Sequence, residues 1–574
     1  MKKNLKRSLA FMLAMATTLG TLSACGGREG SRDVDNSKTQ LNIGVWDGGY
    51  RYNWLQTWAD QFMRDYANYE FEPGKKGVEV WVNPSKDYIN DTIAGTINDY
   101  DDDIFFIEQC NYYKFVDNKT ALDITDWVTT PIGINGETQS IADKMSAYDK
   151  SYFGVDDTSP TYYAVPWYTA FTSISYDVDL FESKNLYFAA EGTNQFISNP
   201  MQPKSKGPDG KTGIIDGIDY SADDGLPATY EQFFILCDHM VSNGVTPIVW
   251  AGGFLKYMNE FFNALVASAN GYDEMVLNYT FDGTSNNLIK SIDEQGNIIY
   301  EDPTEIEDAN GYLLQKQAGR YYASQFMEKL IQTKGVDGNP KYYNKTVCLG
   351  STSHLGAQSN FLKSRFKTDG TNPVGMFVDG TWWYNEAGTV FNEMGSIQGA
   401  GPTERRIGVM PLPKPNETYV ENGLGEPVFA SSWITEVAVK SSIKESVQDC
   451  AELFFKYIHT DKALSEFTRY GNGVRPFAYE LSEDDEDFTS YYAKNQLDIM
   501  KHAKVVVPYS KSKITLNYAS QIHVNYNTIV TNAAGQDKGY DFVVNAFKDG
   551  YSAVDFFKGL AKNTNSESWK SYIG

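Results

Sequence analysis

Leu41–Tyr50 reads LNIGVWDGGY: six residues of β-forming character, Leu41 to Trp46, run into Asp47-Gly48-Gly49, where the chain must turn. Behind the turn, residues 53–66 (NWLQTWADQFMRDY) place Trp54, Leu55, Trp58 and Phe62 at helical spacing. Val78–Val82 alternates as a strand, residues 86–98 read as a helix, and Asp103–Ile107 (DIFFI) as a buried strand. Strands alternating with helices predict βαβ units and a mainly parallel sheet. In such sheets ligands bind beyond the strands' carboxyl ends. Trp46-Asp47, Glu108-Gln109 and Trp167-Tyr168 each follow an apolar run and fall in that place.

Further on, Pro227–Gly244 is a helix introduced by Pro and Thr, with Glu231 in its first turn. Thr246–Trp250, Gly375–Asp379, Ile407–Met410 and Val437–Lys440 read as strands, and 257–270, 444–458 and 540–562 as helices. Residues 190–226 and 272–312, rich in Gly, Asn, Asp, Ser and Pro, read as long surface excursions. The 574 residues carry a formal charge of −24 and are 41% hydrophobic and 14% aromatic. That composition buries a core, excludes wholesale disorder and argues against a nucleic-acid partner, which needs clustered Lys and Arg. Five cysteines in so long a chain exclude a disulfide-framed scaffold. Cys110, Cys237, Cys348 and Cys450 lack C-x-x-C spacing, which leaves four buried thiols or one disulfide.

Lys2, Lys3, Lys6 and Arg7 precede an apolar run, 9–22, and then Leu22-Ser23-Ala24-Cys25, the order of a secretory signal peptide. The end of this segment resembles a bacterial lipobox, which implies cleavage after residue 24 and a diacylglyceryl anchor on Cys25. Two acyl chains hold a protein on a membrane stably. Loss of 1–24 removes four positive charges and leaves −28. Residues 25–40, polar and without periodicity, form the lipidated tether. The expected location is the extracellular face of the bacterial cell membrane.

Seven segments in order resemble the extracellular solute-binding proteins of carbohydrate ABC importers, family 1. They are LNIGVWDGGY; DIFFIEQCNYYKFVDNKTALDITDW; YYAVPWYTAFTSISYDVDLF; LPATYEQF; GMFVDGTWW; IGVMPLPKP; and RYGNGVRPF. They span residues 41 to about 480. The resemblance implies an α/β, two-lobed periplasmic-binding-protein-like fold (a Venus flytrap) with hinge strands and a ligand cleft between the lobes. Lobe one would be 41–168 plus 412–462, and lobe two 169–411 plus 463–574. The chain would cross near Val165–Thr169, near Met410–Pro415 and again after His459. The two excursions depart from the family pattern.

A sugar presents a C–H face to aromatic planes and a hydroxyl rim to polar groups. The family's Asp-Gly-x-Trp motif implies that Trp382 lies against the sugar, with Trp383 as a further candidate. Asp47 and Glu108, after the first two family strands, would hold hydroxyls. Trp46, Trp167, Trp250 and Trp433, at strand ends or loops, are candidate platforms, and Trp54, Trp58 and Trp127 belong to the core. Asp379, Tyr50, Arg475 and His523 complete the expected ligand contacts. The other roles open to them are a cap for Asp379, surface packing for Tyr50, a lobe-closing ion pair for Arg475 and a structural part for His523.

No Gly-x-Ser-x-Gly elbow, H-E-x-x-H or phosphate loop occurs, and the five histidines lack metal-ligand spacing. The acidic runs 99–103 and 216–224 lack the twelve-residue Ca²⁺ loop pattern. The expectation is a monomeric, cofactor-free lipoprotein, not an enzyme, that passes an oligosaccharide to an ABC permease. The rival readings are a glycan-capture lipoprotein without a transporter and an extracellular glycosidase. The identity of the sugar, a peptide in its place, and Ca²⁺ in the acidic loops stay open at this level.

Overall fold

Strand β1 (Thr39–Trp46) pairs in parallel with both β2 (Val78–Ser85) and β3 (Ile104–Glu108) in the computed structural model. The structure describes residues 33–155, 158–522, 527–532 and 534–573. The segment 1–24 expected to be a signal peptide, Cys25 and His523 lie outside them. Leu41, Ile43 and Val45 are buried on alternate positions of β1, while β3 is buried throughout. A strand covered on both faces reads as a continuous apolar run, as IFFI (104–107) does.

The chain leaves this sheet through β4 (Ala164–Val165) and enters a second one at β5 (Thr172–Asp177). There β6 (Thr246–Val249) and β7 (Val374–Gly380) are parallel neighbours, and β5 lies antiparallel between β7 and β8 (Ile407–Met410). Strand β9 (Val428–Ala430) follows, and β10 (Thr435–Val439) returns to the first sheet, antiparallel to β3 and β4. Strand β11 (Lys504–Val506) pairs with β9. Both sheets are therefore mixed, not mainly parallel. Strands arriving from the other lobe enter against the direction of the βαβ strands.

Each sheet has its own core. Trp54, Trp58, Phe106, Trp167 and Phe467 pack edge to face or tilted beside the first sheet, with centroids 4.9–6.3 Å apart. The second gathers Phe361, Phe377 and Trp383 against β7. These cores shift two of the expected lobe boundaries. Val428–Ala430 belong to the second core, so the second crossing falls at Ser431–Ile434 instead of 410–415. Ala463, Leu464, Phe467, Val474 and Phe477 belong to the first core, so the chain crosses again only after Tyr479. The helix Asp461–Gly471 lays Phe467 against Trp54, and that apolar face keeps the segment in lobe one.

The helix expected over 540–562 is broken into Val543–Lys548 and Ala553–Asn563. Gly550 stands at φ 91° between them, and the Ser552 hydroxyl accepts from the Asp555 N–H to start the second. In place of the helix expected over 86–98, only Thr92–Thr96 and the 3-10 turn Ile97–Asp99 are helical. The excursion 272–312 opens with a helix, Tyr272–Thr280. It also carries a small core of its own in which Leu277, Phe281, Leu288 and Ile306 meet Trp569. Cys110, Cys237, Cys348 and Cys450 are four free, buried thiols. No helix among the described residues is long and apolar enough to cross a membrane.

Candidate functional site

The carboxyl ends of β1, β3 and β7 and the two crossings Tyr168 and Trp433 meet around a cavity of about 280 Å³ between the lobes. Lobe one supplies Trp46, Glu108 and Lys86 to its wall; lobe two supplies Trp382, Tyr257 and Glu386. Gly48, Gly49, Arg51 and Gln109 complete it. Four of the expected contacts thus converge here: Trp46, Glu108, Trp382 and Trp433.

Trp382 is the plug between the lobes. It follows β7 in sequence but packs with the first core, 4% exposed. Its ring lies 4.7 Å from that of Trp433 and 5.9 Å from that of Tyr257. Glycines make this possible. A Cβ on Gly380 would lie 1.9 Å from the Trp382 ring, and one on Gly49 2.6 Å from it. Asn385 donates to the Gly49 carbonyl at 3.1 Å, and the Tyr50 hydroxyl donates to Thr381 Oγ1 at 3.2 Å. These bonds join the lobes beside the cleft.

A polar chain crosses the floor. Trp433 Nε1 donates to the Tyr168 hydroxyl at 2.7 Å, and that hydroxyl donates to Glu108 Oε1. Burial raises the Glu108 carboxyl to about 8, while hydrogen bonds from Tyr168 and Trp46 and the charge of Lys86 oppose it. Glu386 is raised by burial too, against the nearby His354 and a hydrogen bond from Gln358 at 3.1 Å. Asp379 is pushed well above the carboxylate range, first by burial and then by the charge of Glu386.

The remaining expected contacts lie elsewhere. Asp47 sits beside the cleft, 3.5 Å from Lys86 and 3.8 Å from Arg51. Asp379 is in the wall behind it, its Oδ1 accepting from the Gly380 N–H at 2.7 Å. Tyr50 is buried under Tyr168, centroids 4.5 Å apart. Trp167 is core, and its indole N–H donates to the Ile107 carbonyl at 2.9 Å. Trp250 packs on Tyr343 and Trp383 on Phe377, both fully buried. Arg475 makes no ion pair among the described residues. Buried in lobe one, it donates to the carbonyls of Trp167 and Ile458 at 2.8 and 2.5 Å and contacts His459 Nε2 at 2.8 Å. The adjacent rings of Trp382 and Trp383 turn to different cores, and sequence alone does not say which goes where.

Tyr257, Lys86 and Glu386 are site residues that the sequence reading passed over, whereas Tyr168 stands at one of the strand ends it marked. Glu386 had a usable signal: it stands four residues after Trp382 across a helical turn, Trp383–Glu386, which puts both on one face. Tyr257 stands in the first turn of Lys256–Asn270 and had none. Among the described residues no group of three or more His, Cys, Asp or Glu side chains is placed to hold a metal ion.

No family model matches the sequence, and no curated protein matches it. Solved structures do resemble it. Maltose-bound MalE3 of T. maritima has a TM-score of 0.51 at 12% identity, over 92% of this chain and 99% of that one. The bacterial solute receptor AcbH, described as preferring β-D-galactopyranose, gives 0.51 at 14% identity, over 94% and 99%. A chitin oligosaccharide binding protein gives 0.50 at 12%, over 94% and 100%. At such identities the likeness is one of fold, and it runs over nearly the whole chain. The chain therefore has the two-lobed solute-binding-protein fold, with its cleft where the strand ends of both lobes meet.

Proposed function

We propose that this protein captures a carbohydrate between its closing lobes and hands it to an ABC importer. The observation that carries the reading is the interlobe cavity, walled by Trp46, Trp382 and Trp433 and edged by Glu108 and Glu386. Aromatic planes suit the C–H face of a sugar, and carboxylates accept from its hydroxyls. The binding proteins that share the fold, named for maltose, galactopyranose and chitin oligosaccharides, support the same class of ligand. Because the wall is shared by both lobes, a ligand gains its full contacts only when they close, and binding shifts the population toward the closed form. Nothing in this scheme needs a covalent step, so the reading is of a receptor and not of a glycosidase.

The delivery part of the proposal rests on the N-terminal segment. A lipid on Cys25 would keep the protein at the outer face of the cell membrane, beside its permease. Replacing Cys25 by Ser should then release the protein from membranes. The capture part is tested by thermal melting of the protein against a panel of mono- and oligosaccharides. A ligand at a hundredfold excess over Kd adds about 2.7 kcal/mol and raises Tm. Upward shifts confined to one sugar class, without reaction products, support the reading. A peptide shift with no sugar shift, or product formation, overturns it.

A further inference from the structure

The cleft is short of positive charge. Among the described residues its wall carries two cations, Lys86 and Arg51, and both lie within ion-pair distance of Asp47, at 3.5 and 3.8 Å, so part of their charge is taken up there. Glu108 and Glu386 enter the same cavity from opposite lobes. Behind Tyr257 and Trp382 stand two more buried carboxylates. Asp379 is bonded to its own neighbour's N–H, and Glu260 accepts from Thr172 at 2.9 Å. Burial raises all four, and the charge of Glu386 adds to it at Glu108 and Asp379. His354, Arg51 and Lys86 acting on Glu386, Lys86 on Glu108 and Lys256 on Glu260 relieve this only in part. A neutral sugar would close the lobes over carboxylates that lose water and gain no counter-charge from the ligand, a costly arrangement.

A second observation concerns the aromatic wall. Lys86 Nζ lies 5.0 Å from the centroid of the Trp46 ring, so that ring already carries an ammonium group at the cleft. An ammonium beside tryptophan and tyrosine walls with carboxylates at hand is the chemistry of cation recognition.

We infer that the cleft takes a sugar bearing an ammonium group, an amino sugar, held between the Glu108 and Glu386 carboxylates beside the tryptophan walls. The inference rests on the reading of this cleft as the ligand site. The ammonium supplies the missing charge from the ligand side, and its arrival favours the ionised form of Glu108, so binding releases protons to the buffer.

The test is calorimetric titration of the full chain with matched pairs of mono- and disaccharides that differ only in an amino group for a hydroxyl. The amino member is expected to bind at least about tenfold tighter, with an advantage that shrinks in high salt. Heats in buffers of different ionisation enthalpy should report proton release for the amino member alone. Glu386→Gln should weaken the amino member more than the neutral one and narrow the ratio between them. Neutral members that bind as tightly as their amino partners overturn the inference and leave the carbohydrate reading standing. Binding by no member of any pair overturns both.

Discussion

Trp382 and Trp383 are adjacent, chemically identical and opposite in fate. Trp383 turns into the second core, where its indole N–H donates to Ser175 at 2.9 Å, while Trp382 bridges the cleft. What places the Trp382 ring is the absence of a side chain at Gly380, since a Cβ there would lie 1.9 Å from it. Gly380→Ala must therefore push the ring away. The expected outcome is a loss of sugar affinity of about tenfold or more, read by titration calorimetry. Unchanged affinity would detach Trp382 from the site. Arg475 teaches the opposite lesson. Expected at the ligand, it clamps two carbonyls of the lobe-one framework, and burial lowers its guanidinium to about 9.

At the scale of elements, the Tyr176-Asp177 pair that ends β5 ties three pieces together. Asp177 caps the helix Val178–Ser183 by accepting from the Leu180 N–H at 3.0 Å. Its carboxylate also meets Arg405 at 2.6 Å and Arg365 at 2.8 Å, with Arg405 fully buried just before β8. Asp177→Asn preserves a cap but leaves the Arg405 charge buried without its partner. Breaking a buried pair in this way should cost about 3–5 kcal/mol, measured by urea unfolding. A loss near that of an exposed pair, below about 1 kcal/mol, would show that Arg405 finds another partner.

For the whole molecule, the notable feature is how many carboxyls are held above their ordinary range by burial. Glu108 is raised from 4.5 to about 8, Asp149 and Asp209 from 3.8 to about 6, and Asp223, Asp379 and Glu436 well above. Such groups bind more protons in the folded state. Their contribution is complete below the unfolded values and is lost as pH rises through the folded ones. Asp179 acts in the other direction: part burial opposes it, yet Arg406 holds it low. The raised groups dominate, so Tm should fall between about pH 5 and pH 8. Glu108→Gln should flatten the upper part of that fall and raise Tm at the alkaline end. A Tm that rises steadily over this window would contradict the assignment.

Much of the framework was legible because local rules decide it. LNIGVW alternates, IFFI (104–107) is apolar throughout, and Thr229 caps its helix, so strands and helices fall within a few residues of their expected places. Motif order likewise pointed to two lobes. The site was legible only in part. Trp46, Glu108, Trp382 and Trp433 stand at strand ends or crossings that the sequence marks. Trp167, Trp250, Trp383 and Arg475 stand at similar marks and went into cores, because facing is set by which sheet a neighbour packs on. Sequence by itself determined the elements and the chemistry on offer, since periodicity, capping and turn residues act over a few positions. Tertiary structure alone decided the lobe boundaries, the direction of the returning strands and the meeting of Glu108 with Glu386 across the cleft. Those depend on contacts between residues hundreds of positions apart, which no local pattern encodes.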